Sequence, residues 1–87
     1  VAVSAVLSVV EPVSSGLGGG GFFLLHDARR GRDVFVDARE VAPASVKPDS
    51  YLDARGELDR DRATNGAWSA GVPGLPAGLV HIARRYG

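Results

Sequence analysis

A run of glycines followed at once by apolar residues constrains this chain most: Gly16-Leu-Gly-Gly-Gly-Gly21, then Phe22-Phe-Leu-Leu25. The segment 14–21 is too glycine-rich for a helix or strand, since glycine loses more backbone freedom on ordering than any other residue. Gly16, Gly18 and Gly21 satisfy the letters of G-x-G-x-x-G. A dinucleotide site, however, needs a strand before the glycines and a helix after them, with the helix N-terminus aimed at the pyrophosphate. Here a strand comes after them. No Gly-Lys-Ser/Thr completes a P-loop either. The run is therefore expected to let backbone pack closely on backbone, or to wall a ligand site, and not to hold a nucleotide.

Phe22–Leu25 is a continuous apolar stretch, which predicts a strand buried on both faces. Asp27-Ala-Arg-Arg-Gly-Arg32 supplies a turn in which Gly31 can take positive φ. Asp33-Val-Phe-Val-Asp-Ala38 comes next as a second strand, so the two read as an antiparallel hairpin. Before the glycines, residues 1–10 are apolar except Ser4 and Ser8. Four valines favour a strand, but two serines one turn apart suit a helix buried on most sides. Pro12 ends the element in either case. The run is too short to span a bilayer and lacks the basic flank and cleavage site of a signal peptide. The chain has no methionine and opens inside this run, so it is expected to be an interior piece of a longer protein.

Beyond the hairpin, Pro48–Leu52 is expected to form one helical turn. Residues 53–66 hold seven charges and end in Asn65-Gly66, which predicts a solvated loop. Trp68–Val72 can form a short strand. Pro73 or Pro76 then opens a helix with Leu75, Leu79, Ile82 and Tyr86 on one face. Arg84 and Arg85 suit the negative end of its dipole, and Gly87 is placed to cap it. The fold class is α+β: a β-hairpin flanked by helices.

Ten basic and ten acidic residues cancel, so no field favours nucleic acid or an anionic membrane. There is no cysteine, and the two histidines have no clustered acids near them, which argues against a metal site. His26 and His81 are expected at the surface, and Trp68 in packing. Thr64, the only threonine, lies in the charged loop without a base or free amine to activate it, and reads as a loop residue. Arg39 comes just after the second strand, between Asp37 and Glu40. Local chemistry offers two readings: a salt bridge to those neighbours, or a guanidinium fork presented to a ligand carboxylate.

Three blocks taken in order resemble one family. Val9–Phe22 resembles the glycine-rich segment of γ-glutamyltransferases, also called glutathione hydrolases. Asp37-Ala-Arg-Glu-Val-Ala-Pro43 is similar to their D-x-R-E-x-A-P signature. Gly71-Val-Pro-Gly-Leu-Pro-Ala-Gly78 is similar to their G-x-P-G-x-x-x-G segment, and Arg84-Arg-Tyr-Gly87 is similar to the family's residues just beyond that segment. The resemblance spans essentially the whole chain.

It implies the four-layer αββα sandwich of N-terminal-nucleophile hydrolases, with residues 1–87 part of the large subunit. It also implies a zymogen that cleaves itself, freeing the threonine nucleophile at the start of a small subunit. That threonine takes a γ-glutamyl group from glutathione or a related amide, and water, an amino acid or a peptide then accepts it. Arg39 falls on the arginine that binds the substrate α-carboxylate. No position here matches a catalytic residue of the family, and Thr64 is outside its processing motif. No cofactor, metal or nucleic acid is implied. The expected partners are the γ-glutamyl compound, the rest of the large subunit and the small subunit. A periplasmic, extracellular or membrane-anchored location is implied by family alone. Two other readings stand beside this one: a glutaryl cephalosporin acylase of the same family, and a non-catalytic binding or structural domain on the same fold.

Overall fold

The computed structural model describes residues 1–87. It divides into two units, one formed by Val1–Val41 with Val72–Gly87 and the other by Ala42–Gly71.

The first unit carries the hairpin. Strands β1 (Phe22–Asp27) and β2 (Arg32–Asp37) pair antiparallel, with Phe23 opposite Val36 and Leu25 opposite Val34. In the turn Gly31 has φ of 59°, the left-handed conformation expected of it. Asp27 tightens the same turn: its carboxylate accepts from the Arg29 and Arg30 amides and from the Arg30 guanidinium at 2.9 Å.

The apolar run did not yield a strand covered on both faces. Burial alternates: Phe23, Leu25, Val34 and Val36 are half-buried, whereas Phe22, Leu24 and Phe35 are exposed, Leu24 at 78%. Phe22 and Phe35 stack on that open face with ring centroids 5.6 Å apart. Nothing else in these 87 residues covers it.

Residues Ala2–Val10 form helix α1, which settles the choice against a strand. Its surroundings differ from expectation, since no residue in it is buried and Val9 is 77% exposed. The least exposed positions are Ser4 and Ser8, and the Ser8 hydroxyl donates to the Ala5 carbonyl at 2.7 Å. The valines thus form an outward apolar surface. Pro12 opens a further short helix, α2 (Pro12–Ser15), where its missing N–H is no loss.

The second unit is built from turns. Residues 48–52 form successive turns instead of a helical turn, closed by Ser50 N–H to Lys47 O at 3.0 Å and Leu52 N–H to Asp49 O at 3.1 Å. The charged segment is not all loop. It contains helix α3 (Arg60–Thr64), started by the Asp59 side chain accepting from the Arg62 amide at 3.1 Å. Asp61 in its first turn also suits the positive end of the dipole. Ala67–Ser69 form a 3₁₀ turn where a strand was expected.

In the first unit, helix α4 (Leu75–Tyr86) is as the periodicity predicts. Leu75, Leu79 and Ile82 are buried, Tyr86 is half-buried, and the Gly87 amide closes the end on Ile82 O at 3.2 Å. Those three side chains and Ala38 are the whole buried core. No helix is long and apolar enough to cross a membrane.

The turn carboxylate has a measurable consequence. The Arg30 hydrogen bond holds the Asp27 carboxyl below its usual value of 3.8. With a depressed folded pKa, its contribution to the hairpin is complete above that usual value and is lost as pH falls through the lower folded one. An NMR titration of the Asp27 carboxyl should show the low midpoint, and Arg30→Ala should raise it toward the ordinary range. Coincident titrations in the two proteins would contradict this.

Candidate functional site

Arg39 stands where strand β2 ends, and its backbone is held from several sides. Its predecessor Ala38 is in the core, only 6% exposed. The Ala38 amide donates to Gly21 O at 2.9 Å, and the Gly21 amide returns the bond to Ala38 O at 3.1 Å. One residue beyond Glu40, Val41 and Val72 exchange backbone hydrogen bonds of 3.2 and 2.8 Å. Between these anchors the Arg39 amide donates to the Asp37 carboxylate at 3.0 Å.

The glycines make this packing possible. A Cβ on Gly20 would collide with the Glu40 amide nitrogen and lie 2.6 Å from Ala38 O. On Gly74 it would lie 2.7 Å from Arg39 O, and on Gly78 it would strike the Ala38 Cβ. Gly19 completes the arrangement by capping α4: its carbonyl accepts from the Gly74 and Leu75 amides, both at 3.1 Å. Those amides are among the unpaired donors of a helix start, so no side-chain cap is needed there. Of the two expectations for the glycine run, close backbone packing is realised at Gly20.

The Arg39 side chain is treated quite differently from its backbone. It is 65% exposed, and its one ionic neighbour is Glu40, with Nε to Oε1 at 3.7 Å. An exposed pair at that distance contributes about 0–1 kcal/mol and competes weakly with a ligand. Asp37, the other candidate partner, uses its carboxylate on the Arg39 backbone amide. A hollow of about 350 Å³ adjoins the arginine, lined among others by Val36, Asp37, Gly74, Ala77 and His81. A larger one of about 680 Å³ is bounded by α4 residues alone, which makes it a helix surface and not a cleft.

The remaining candidates are not brought to this place. His26 pairs with Asp33 across the hairpin, Nδ1 to Oδ1 at 2.8 Å, on the exposed side. His81 is exposed on α4, with its ring 6.1 Å from that of Tyr86, and is the histidine that reaches the Arg39 hollow. Thr64 ends helix α3 and is not in a loop; its hydroxyl donates to the Arg60 carbonyl one turn back. Trp68 is 43% exposed, under the Arg62 guanidinium at 4.4 Å and against the edge of Tyr51. No group of three or more His, Asp or Glu side chains is placed to hold a metal ion.

Gly74, Gly78 and Ala38 were not recognised as parts of the site from sequence. The signal was present, because glycines four apart share one face of a helix.

Comparison with known proteins bears on the same residues. The family model described as Gamma-glutamyltranspeptidase matches residues 1–87. The Bacillus subtilis (strain 168) glutathione hydrolase proenzyme is 39% identical over 89 residues, covering 100% of this chain and 15% of its own length. The crystal structure of Helicobacter pylori gamma-glutamyltranspeptidase superposes with a TM-score of 0.91 at 37% identity, over 99% of this chain and 24% of that one. The Pseudomonas nitroreducens gamma-glutamyltranspeptidase complexed with L-DON gives a TM-score of 0.90 at 37% identity, over 97% and 24%.

Proposed function

Because the chain belongs to the gamma-glutamyltranspeptidase family, we propose that it supplies the carboxylate-binding part of an enzyme that cleaves γ-glutamyl amides such as glutathione. The observation that carries this reading is the contrast at Arg39: a backbone fixed by the core and a guanidinium left open beside a hollow. A planar guanidinium offers two parallel N–H donors that match the two oxygens of a carboxylate. Its charge is permanent, so recognition does not depend on pH in the neutral range.

In the proposed reaction Arg39 holds the α-carboxylate and thereby fixes the γ-carbonyl at the far end of the same substrate. A threonine elsewhere in the protein attacks that carbonyl. The C–N bond breaks, the proton passes to the leaving amine, and a γ-glutamyl ester remains. Water or an acceptor amine then attacks the ester and releases the threonine hydroxyl. Arg39 takes no part in either bond change; it binds and orients.

The nucleophile is assigned to other residues because Thr64 has its hydroxyl engaged with its own helix and no base beside it. The chain spans 15% of the length of the Bacillus subtilis relative, which leaves ample sequence for it. We assign residues 1–87 to the large subunit of a processed pair. The proenzyme name of that relative supports a processed form. The exposed faces of α1 and the hairpin suit coverage by the remainder of such a protein.

In the complete enzyme, Arg39→Ala should cost about 2–5 kcal/mol of substrate binding, the range for one partner lost from a buried ionic pair. Arg39→Lys should recover only part of it, because an ammonium lacks the fork. Steady-state kinetics with a γ-glutamyl anilide checks both, and unchanged KM and kcat would make Arg39 structural. A glutaryl amide cleaved in preference to the γ-glutamyl anilide would reassign the substrate.

The purified 87-residue chain should release no anilide by itself, whereas the complete protein should mature into two polypeptides on a denaturing gel. Activity in the isolated chain, or an unprocessed active protein, would contradict the assignment.

A further inference from the structure

Taking Arg39 as the carboxylate ligand, we infer that Gly78 is a positioning residue for it, acting through one methyl group. Arginine is long, so where its fork arrives depends on where its Cα is held. The Arg39 Cα comes directly after Ala38, and helix α4 rests on Ala38 at Gly78. A Cβ built on Gly78 would run into the Ala38 Cβ. Its next neighbours, Phe23 Cε2 at 3.6 Å and Ala38 Cα at 3.8 Å, are at ordinary contact distance. A single methyl on the residue before Arg39 is therefore the whole obstruction to a side chain at position 78.

Neither side of that contact yields without consequence. On the strand side, Ala38 is tied to Gly21 by two hydrogen bonds. On the helix side, α4 is tied to Gly19 at its first turn, and Gly74 sits against the carbonyls of Ala38 and Arg39. Added bulk at position 78 forces the strand end and the helix apart, and the displacement falls on residues 38 and 39. Glycine is also a poor residue for a helix interior, yet it stands in the middle of α4. Were it merely tolerated, alanine would strengthen the helix and leave binding alone.

The contact has a property that makes it testable by exchange. Because the obstruction is the Ala38 methyl, moving that methyl from position 38 to position 78 restores the fit. Gly74 lacks this property, since it meets backbone atoms that no substitution removes.

The experiment measures KM, kcat and melting temperature in the complete enzyme, using a γ-glutamyl anilide. The variants are Gly78→Ala, Ala38→Gly, the double variant and Arg39→Ala. Gly78→Ala should raise KM on the order of tenfold, the scale of a small misplacement at a binding group. Its kcat should move much less, as for binding energy shared by ground and transition states. Ala38→Gly should also raise KM, because it leaves a gap under the strand end. The double variant should return KM to within about twofold of the wild type, since the two changes share one contact.

A wild-type KM in Gly78→Ala, whatever its melting temperature, would overturn the inference, as would a double variant that keeps the raised KM. If Gly78→Ala does not fold, the other two variants decide. A raised KM in Ala38→Gly that recovers in the double variant supports the inference, and any other result overturns it. Failure of the underlying reading is distinct: there Arg39→Ala itself leaves KM unchanged.

Discussion

Everything else in the first unit depends on how closely three stretches of backbone approach Ala38. Strand β2 ends there, the glycine run pairs with it through Gly21, and helix α4 lies on it at Gly74 and Gly78. Such an approach is open only to residues without a Cβ, which explains why glycines cluster in two separated parts of the sequence. The four-residue core of Ala38, Leu75, Leu79 and Ile82 is the apolar half of the same junction. A small buried alanine and a rigid hydrogen-bonded strand end thus support a long, exposed arginine. The division of labour suits ligand binding: the backbone holds the position, and the guanidinium is left free to make the contact.

Legibility in the sequence tracks the range of the interactions concerned. The hairpin and its Gly31 turn depend on neighbours along the chain, and both were readable. So was the buried face of α4, because one period describes it. The dinucleotide reading of the glycines failed on context, and the observed strand β1 after Gly21 agrees. Helix α3 was hidden by its charges, although Asp59 is a good cap and Asp61 suits the first turn. Residues 48–52 and 67–72 took turn conformations, where a helical turn and a strand were equally compatible with short segments. The exposure of α1 and of Leu24 was not readable, since burial depends on what lies opposite and these 87 residues place nothing there. Around Arg39, the sequence left a salt bridge and a ligand fork in balance. The 3.7 Å separation from Glu40 and the diversion of Asp37 to the backbone weaken the first.

The family relationship gives these features a common setting. An α+β segment from an N-terminal-nucleophile hydrolase needs partners for its sheet face and its outer helix. The stacked Phe22–Phe35 pair and the valines of α1 are the surfaces left without them. The chain covers 24% of the Helicobacter pylori structure's length while matching its own segment closely. On the proposed reading, recognition of the substrate's charged end and attack on its amide belong to different parts of the protein. Rigidity at the strand end then matters, because errors in placing the carboxylate are carried along the substrate to the reacting carbonyl.

The central claim is that Arg39 contacts the α-carboxylate and no other part of the substrate. Its most direct test is binding of glutamate against 4-aminobutyrate, which differs only in lacking that carboxylate, to wild type and Arg39→Ala of the complete enzyme. A charge-assisted hydrogen bond contributes about 1.5–3 kcal/mol, so wild type should prefer glutamate by at least about tenfold. In Arg39→Ala the two ligands should bind almost equally. A preference for glutamate that survives the loss of Arg39 would contradict the account.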